Sequence, residues 1–417
     1  MQNESAQHDD PPADDPAPGG LARFIVTAYG PSALSFIGYG AVTPLIVLSA
    51  LQLGASVSLA AFITGLAGIG TMAGDLPASW VATRLGEKRA IIAACLWDTV
   101  WLLVAFTASS LFVLSLAVFC FGLSGSVFGL SRQSFVMEVT PTRFRARALS
   151  SLGGTQRIGY FIGPLLGSAI IARWNLSAAY GFAAAMSLLA AAVTTALPDL
   201  PTKVAARRVS GVRPKLWPVL RQNARMYATL GTGTMTLSLT RAARQAILPL
   251  WCESLGMDAP ATSLVFALSM GVDMSLFFLG GFIMDRFGRR FVAIPSMIVL
   301  GAGLASLALA HQVVTVVIVA IVLGLGNGIG AGTIMTLGAD ASPDLGRAQF
   351  LSGWRLMSDG GGTLGPLAIS GLTLVGGLPM ATVTLGAFAW AGAAWLNHGI
   401  TWSLKHRPLT EDEPPAS

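Results

Sequence analysis

The chain has 417 residues, 53% of them hydrophobic and only 11% charged, with a mean hydropathy of +0.66 and a formal net charge of +6. A soluble globular domain carries about 25% charged residues, so a chain this long and this apolar has no plausible aqueous surface and falls in the membrane class. The basic excess would suit a nucleic-acid binder, but its distribution along the chain, taken up below, argues against one.

Positions 1–22 are expected to form a disordered cytoplasmic tail. They are acidic and proline-rich and lack the basic start and apolar centre of a signal peptide. A spanning helix needs about 20 mostly apolar residues. Runs between charged or Pro/Gly-rich breaks give twelve such spans, near 24–52, 56–83, 89–109, 111–137, 146–173, 176–197, 224–251, 261–284, 290–310, 312–339, 348–374 and 378–404. They are far longer than the ~9–11 residues of a barrel strand and do not alternate. Cys95, Cys120 and Cys252 lie far apart in or beside these runs, with neither metal spacing nor a disulfide framework. The longest polar connection, DLPTKVAARRVSGVRPKLWPVLRQNAR, follows span six. The expected organisation is a six-helix bundle at 23–197, a cytoplasmic loop at 198–223, a second bundle at 224–404 and a cytoplasmic tail at 405–417.

Lys and Arg set the orientation. With both termini cytoplasmic, the inner connections hold Arg84, Lys88 and Arg89; Arg143, Arg145 and Arg147; the cluster from Lys203 to Arg225; Arg286, Arg289 and Arg290; Arg347; and Lys405 and Arg407. The outer connections hold only Arg173. Positive charge spread over one face of a membrane protein leaves no nucleic-acid surface.

Repeats come at one offset. Arg84 and Arg286, Gly86 and Gly288, Gly122 and Gly324, Pro141 and Pro343, Arg145 and Arg347, and the Gly163-Pro164 and Gly365-Pro366 pairs all stand 202 residues apart. Two homologous halves around a midplane site is a transporter architecture.

Positions 280–290 read GGFIMDRFGRR, and 79–89 read SWVATRLGEKR. The first resembles the loop motif of the major facilitator superfamily, Gly-x-x-x-Asp-Arg-x-Gly-x-Arg/Lys-Arg/Lys, through Gly281, Asp285, Arg286, Gly288, Arg289 and Arg290. The second keeps Arg84, Gly86, Lys88 and Arg89 but has Ser79 for the glycine and Thr83 for the aspartate. A further family phrase, Glu-x-x-Pro-x-x-x-Arg, appears as Glu138, Pro141 and Arg145, with Asp340, Pro343 and Arg347 as its twin. The resemblance covers the chain apart from its tails. It implies an all-α membrane protein, with twelve transmembrane helices in two pseudo-symmetric six-helix bundles, in the plasma (inner) membrane.

It also implies that the loop residues latch the halves together on the cytoplasmic side. Gly281 would admit a close helix, Asp285 would meet a helix N-terminus and an arginine, and the basic residues would hold the loop at the anionic surface. Plain positive-inside anchoring is the alternative.

Charges inside spans are costly and usually serve a pathway or a pair. Arg157 lies twelve residues past Arg145 and Asp273 thirteen before Arg286, each roughly 18–20 Å deep. Helices five and eight touch in the resembling fold, which implies an Arg157–Asp273 pair. Helices two and eleven touch likewise. Asp75 and Arg355 are both roughly 12–14 Å deep, and Asp359 is one turn beyond Arg355. Asp75, Asp273 and Asp359 are the candidates for proton coupling, and Asp98 suits a local hydrogen-bonded pair. Arg241 and Arg244 share a face of span seven; they either contact an anion in a central cavity or snorkel outward. With Arg157 and Arg355 they complete the charged cavity candidates, and Tyr39, Tyr29, Trp251 and Trp354 are candidate aromatic liners. Arg132 reads as a structural pair or headgroup contact ahead of a substrate role.

Gly159, Gly163, Pro164 and Gly167 resemble the family's helix-five antiporter motif, which accompanies proton-coupled export. Gly361, Gly365 and Pro366 repeat part of it, so helix packing is the other reading. The family's exporter arginine in helix four is Val118 here. Export of a small organic solute is the preferred reading, proton-coupled uptake of an organic acid or other metabolite the next. A membrane enzyme is the remote one: Gly122-Leu123-Ser124-Gly125 matches Gly-x-Ser-Gly, with His398 as its base. There is no nucleotide-binding loop. The expectation is a monomer using an ion gradient, with a small-molecule substrate and no cofactor or metal.

Overall fold

A computed structural model describes residues 18–140, 144–196, 216–343 and 346–405. Arg143, the side chain of Arg145, Pro141, the central-loop basic residues from Lys203 to Lys215, and Arg407 lie outside the described residues.

The first half consists of α1 (Pro18–Gln52), α2 (Val57–Leu85), α3 (Glu87–Phe106), α4 (Leu111–Val139), α5 (Arg145–Arg173) and α6 (Ala178–Thr195). A short α7 (Leu216–Gln222), one further turn and a π-turn at Tyr227–Gly231 lead into α8 (Thr232–Ser254). Then come α9 (Ala259–Phe287), α10 (Arg290–Leu307), α11 (Val313–Ile329), α12 (Thr333–Ala341) and α13 (Arg347–Lys405). The described residues hold no strand. Nine of their segments are long and apolar enough to cross a membrane; α5 and α8, which carry interior arginines, are not among them. The long α13 has non-helical backbone at Gly376 and Gly377, where φ reaches 71°. There the chain doubles back, so Ile400 and Ser403 line the same cleft as Asp340 and Ala341.

The elements repeat in detail. Ser56 caps α2 by accepting from the Leu59 amide, and Asp258 caps α9 by accepting from the Ala261 amide. Gly86 and Gly288 end the same two helices with φ of 80° and 93°, a backbone region that side chains rarely enter. Each cap pair is separated by 202 residues.

Within the first half, α2 and α3 pack on α4, α1 on α5 and α6, and α3 on α6. In the second half α8 and α10 pack on α13, and α9 and α10 on α11. Small residues bring these backbones together, as membrane helices require. Gly122 of α4 abuts the Ala67 carbonyl, and Gly324 of α11 abuts that of Ser269. Gly163 meets the Ile37 carbonyl, and Gly365 meets that of Leu239. Both pairs of contacts recur at the 202-residue offset.

Across the halves, α5 packs on α9 and α2 on α13. One end of the molecule carries the basic turns at Gly86 and Gly288. At the opposite end, Ser58 bonds the Ser370 carbonyl at 2.7 Å and Ser168 that of Pro260 at 2.9 Å. The bonds described between the halves run from that end to mid-depth.

Gly122→Ala should therefore lower the thermal midpoint in detergent. Its new Cβ would meet a backbone carbonyl that has no rotamer to yield, an overpacking cost of about 1–3 kcal/mol. Gly125→Ala, with nothing within 4 Å of the new Cβ, should leave the midpoint unchanged or raised.

Candidate functional site

Asp273 of α9 is buried where the two halves meet. Gly328 of α11 lets that helix approach, since a Cβ there would lie 2.7 Å from the Asp273 carbonyl. The carboxylate takes Arg157 of α5 as an ion pair and hydrogen-bond donor on Oδ1. Asn327 of α11 donates to Oδ2 at 2.5 Å, and Arg244 of α8 lies 3.6 Å from the same oxygen. Arg244 is 1% exposed and also donates to Ser269 at 3.1 Å, which removes snorkelling as its role. Arg241, one turn away, donates to the Gly330 carbonyl at 2.5 Å. Arg157 also lies 4.9 Å from the Phe277 ring centroid. The cluster is thus cation-rich: one carboxylate faces two arginines with a third beside them.

A second cross-half group lies nearer the basic end. Arg355 of α13 is 3.7 Å from Asp75 of α2 and 3.4 Å from Asp359 on its own helix. Its side chain is 40% exposed, and Asp75 and Asp359 are partly exposed, so the group opens onto a crevice between the halves. Both cross-half pairs expected from depth are therefore present as contacts.

Asp98 of α3 is fully buried inside the first half and accepts from the Tyr39 hydroxyl and from Ser124 Oγ. This corrects the cavity reading of Tyr39: its hydroxyl is turned to Asp98, and its ring packs edge-on to Phe36, Phe121 and Phe128. It also places Ser124 in a hydrogen bond to a carboxylate, while His398 packs on Trp395 in the other half, so the two do not meet as nucleophile and base. Tyr29, Trp251 and Trp354 likewise donate to backbone carbonyls, of Ala148, Ala310 and Ile334 respectively, as packing residues.

The basic-end loops depart from expectation in two ways. A Cβ at Gly281 would meet nothing within 4 Å; the close approach belongs to Gly280, which abuts the Ile329 carbonyl. Asp285 is exposed and has no ion-pair partner among the described residues. A charge pair described here is Arg289 with Asp340, at 2.6 Å, within the second half. Arg286, Arg290, Arg347, Arg89 and Thr83 are exposed, and Arg84 lies over the Trp80 ring at 4.7 Å. Glu138 is partly buried at the end of α4.

The helix-five glycines all face α1: Gly159 meets Phe36, Gly163 meets Ile37 and Gly167 meets Ala41. Gly361 and Gly365 make the equivalent approach to α8. The motif thus serves packing in both halves.

Arg132 of α4 is the residue whose setting differs most from its reading. Its guanidinium lies 4.5 Å from the Phe36 ring centroid and donates to Gln156 at 3.3 Å, while Nε and Nη1 have no hydrogen-bond partner among the described residues. It has no carboxylate partner among the described residues and is only partly exposed.

The chain matches the Major Facilitator Superfamily over residues 32–243 and 230–416. It belongs to that family. The family is one of multi-pass membrane transporters of small solutes. Among curated proteins the chain is similar to a gallate transporter of Pseudomonas putida, 33% identical over 147 residues. That match covers 33% of this chain and about a third, 32%, of the relative. The fold is that of a bacterial homologue of the human lysosomal transporter Spinster, solved inward-facing and unoccupied (TM-score 0.75, 15% identity, 93% and 98% of the two chains covered). It is also that of a D-xylose–proton symporter (TM-score 0.70, 14% identity, 89% and 97% covered).

Removing the Asp273 charge leaves the buried Arg244 and the partly buried Arg157 without their anion. Asp273→Asn should destabilise by about 3–5 kcal/mol. Asp340→Asn, which breaks the exposed pair with Arg289, should cost about 0–1 kcal/mol. Parallel thermal and denaturant unfolding in detergent would check the ranking.

Proposed function

We propose that this chain carries a small organic anion into the cell together with protons, by alternating access. The observation that carries this reading is the interior charge arrangement. Arg157 and Arg244 contact a single carboxylate at the meeting of the halves, with Arg241 held beside them on the Gly330 carbonyl, a field that favours an anion. The partial similarity to a gallate transporter points to the same substrate class. Export, favoured by the helix-five motif, loses its separate support because those glycines are used for packing in both halves.

The proposed topology has twelve spans and both termini cytoplasmic, with bundles at 23–197 and 224–404 joined by the 198–223 loop, as a monomer in the plasma membrane. The basic end faces the cytoplasm. Contacts between the halves at the opposite end, with Asp285 and Thr83 exposed at the basic end, correspond to an inward-open state. Closing the basic end would draw the loop latch together and part the opposite end.

Asp75, Asp273 and Asp359 couple the protons. Asp75 and Asp273 are paired across the surface along which the halves move, so each loses or gains its arginine as they rock, while Asp359 shares Arg355 with Asp75 and gains it outright when Asp75 withdraws. A carboxylate released from its cation takes up a proton more readily. Solute binding to the arginines and protonation of the carboxylates then favour the same change of partners.

In proteoliposomes, a pH gradient acid outside should drive uptake of gallate or benzoate, and Asp75→Asn, Asp273→Asn and Asp359→Asn should each lose gradient-driven accumulation while retaining exchange. Accumulation that persists in all three Asp→Asn variants would sink the coupling assignment. Independently, Ser58 and Ser370 lie with their Oγ atoms 3.1 Å apart. In a background without Cys95, Cys120 and Cys252, oxidised Ser58→Cys/Ser370→Cys should stop transport and reduction should restore it. Full flux in the cross-linked protein would refute opening at that end.

A further inference from the structure

Five arginines lie within the described spans, and three of them have a carboxylate within salt-bridge distance: Arg157, Arg244 and Arg355. Arg241 is held by a backbone carbonyl beside the Asp273 cluster. Arg132 is different. It is placed deep on α4, seven residues short of its basic end, with a neutral amide as its hydrogen-bond acceptor and aromatic rings against its faces. A cation removed from water and given no anion is a costly arrangement. Such a group persists where it has a use.

The side on which Arg132 stands tells what it faces. Gly125, Gly129 and Arg132 recur at i, i+4 and i+7, so they share one face of α4. A Cβ at Gly129 would have Arg355 Nη2 as its neighbour, at 3.9 Å. That face therefore points across to the second half. A Cβ at Gly125 would meet nothing within 4 Å, and the same holds for Gly153 and Gly154 on α5, the helix that carries Gln156. The walls beside Arg132 are stripped of side chains, and space stands in front of them. The equivalent position in the second half, 334, is Ile; this arginine is not part of the duplicated scaffold.

We propose that Arg132 is the anchor for the carboxylate of the transported solute, with the buried rings of Phe36 and Phe128 holding the guanidinium from behind. The ligand class is a small aromatic carboxylate. This deepens the organic-anion reading above and rests on it. Gln156 holds the guanidinium at 3.3 Å in the unoccupied protein, a long neutral bond that a carboxylate outcompetes, since charge-assisted bonds to a guanidinium are shorter and stronger and are often bidentate. The Phe36 ring, itself buried, lies 4.5 Å from the guanidinium and supports it from the core side. Lysine would keep the charge but lose the planar fork.

The test uses the full chain in proteoliposomes and nanodiscs, with benzoate, gallate and the neutral benzamide as probes. Wild type should bind and counterflow benzoate and gallate and not benzamide. Arg132→Gln should weaken benzoate and gallate binding by about ten- to a hundredfold, the scale of one charge-assisted bond. Its counterflow KM should rise while the rate recovers at high solute. Arg132→Lys should fall between the two, with an unchanged thermal midpoint marking it as folded. Equal benzoate affinity in wild type, Arg132→Lys and Arg132→Gln would overturn the anchor and leave the organic-anion reading standing. Wild type that binds benzamide as tightly as benzoate would overturn the anchor with no variant needed. Wild type that neither binds nor exchanges any of the carboxylates would overturn both.

Discussion

The contact on which the rest of this structure depends is the Asp273 carboxylate, shared between Arg157 of the first half and Arg244 of the second. At low dielectric a charge interaction is far stronger than in water, and an unpaired charge far more costly. A single carboxylate that satisfies cations on both sides therefore ties the halves together deep in their interface, while the rest of the described interface, apart from the partly exposed Asp75–Arg355 pair, is made of small residues, apolar side chains and hydroxyl bonds. Interfaces of that kind part without leaving a buried ion behind. The ionic contact is the one whose breaking requires compensation, and protons and an anionic solute are both able to supply it.

The duplicated chain keeps its scaffold and changes its charges. Helix caps at Ser56 and Asp258, turns at Gly86 and Gly288, and close approaches at Gly122 and Gly324 recur at one offset. The charged positions do not. Asp273 corresponds to Thr71, Asp75 to Phe277, Tyr39 to Arg241, and Arg157 to an acid, Asp359. Thr71 bonds backbone carbonyls of its own half, at Ala67 and Gly122. Steric complementarity between backbones tolerates little variation, so the packing is preserved. Charge needs only a partner somewhere within reach, so two identical frameworks support an asymmetric interior.

Much of this was legible along the chain. Hydrophobic run lengths gave the helical membrane class, and residue counts from the basic turns placed Arg157 with Asp273 and Asp75 with Arg355 at matching depths. Depth is a one-dimensional quantity, and a helix converts sequence separation into distance at a constant rise. What failed depended on direction around the helix or on the neighbouring element. Gly280, not its neighbour Gly281, meets the adjacent backbone, a rotation of one residue. Asp285 stands exposed because Arg289 takes Asp340 instead. Tyr39 is spent on Asp98, a partner 59 residues away on another helix. Asn327, which completes the Asp273 cluster, sat unremarked in an apolar run, where a lone amide within a span was the available signal.

By itself the sequence determined that the chain is a duplicated bundle of membrane helices, where its basic turns lie and how deep each interior charge sits. These follow from composition, repeat offset and helical rise, which are properties of the chain alone. Only the tertiary structure decided which charges are satisfied. It pairs Arg244 inward, closes Tyr39 onto Asp98 and leaves Arg132 against aromatic rings with no carboxylate partner among the described residues. The reason is physical: whether a buried ion is stabilised depends on atoms within a few ångströms of it, and those atoms arrive from helices that are distant in the chain.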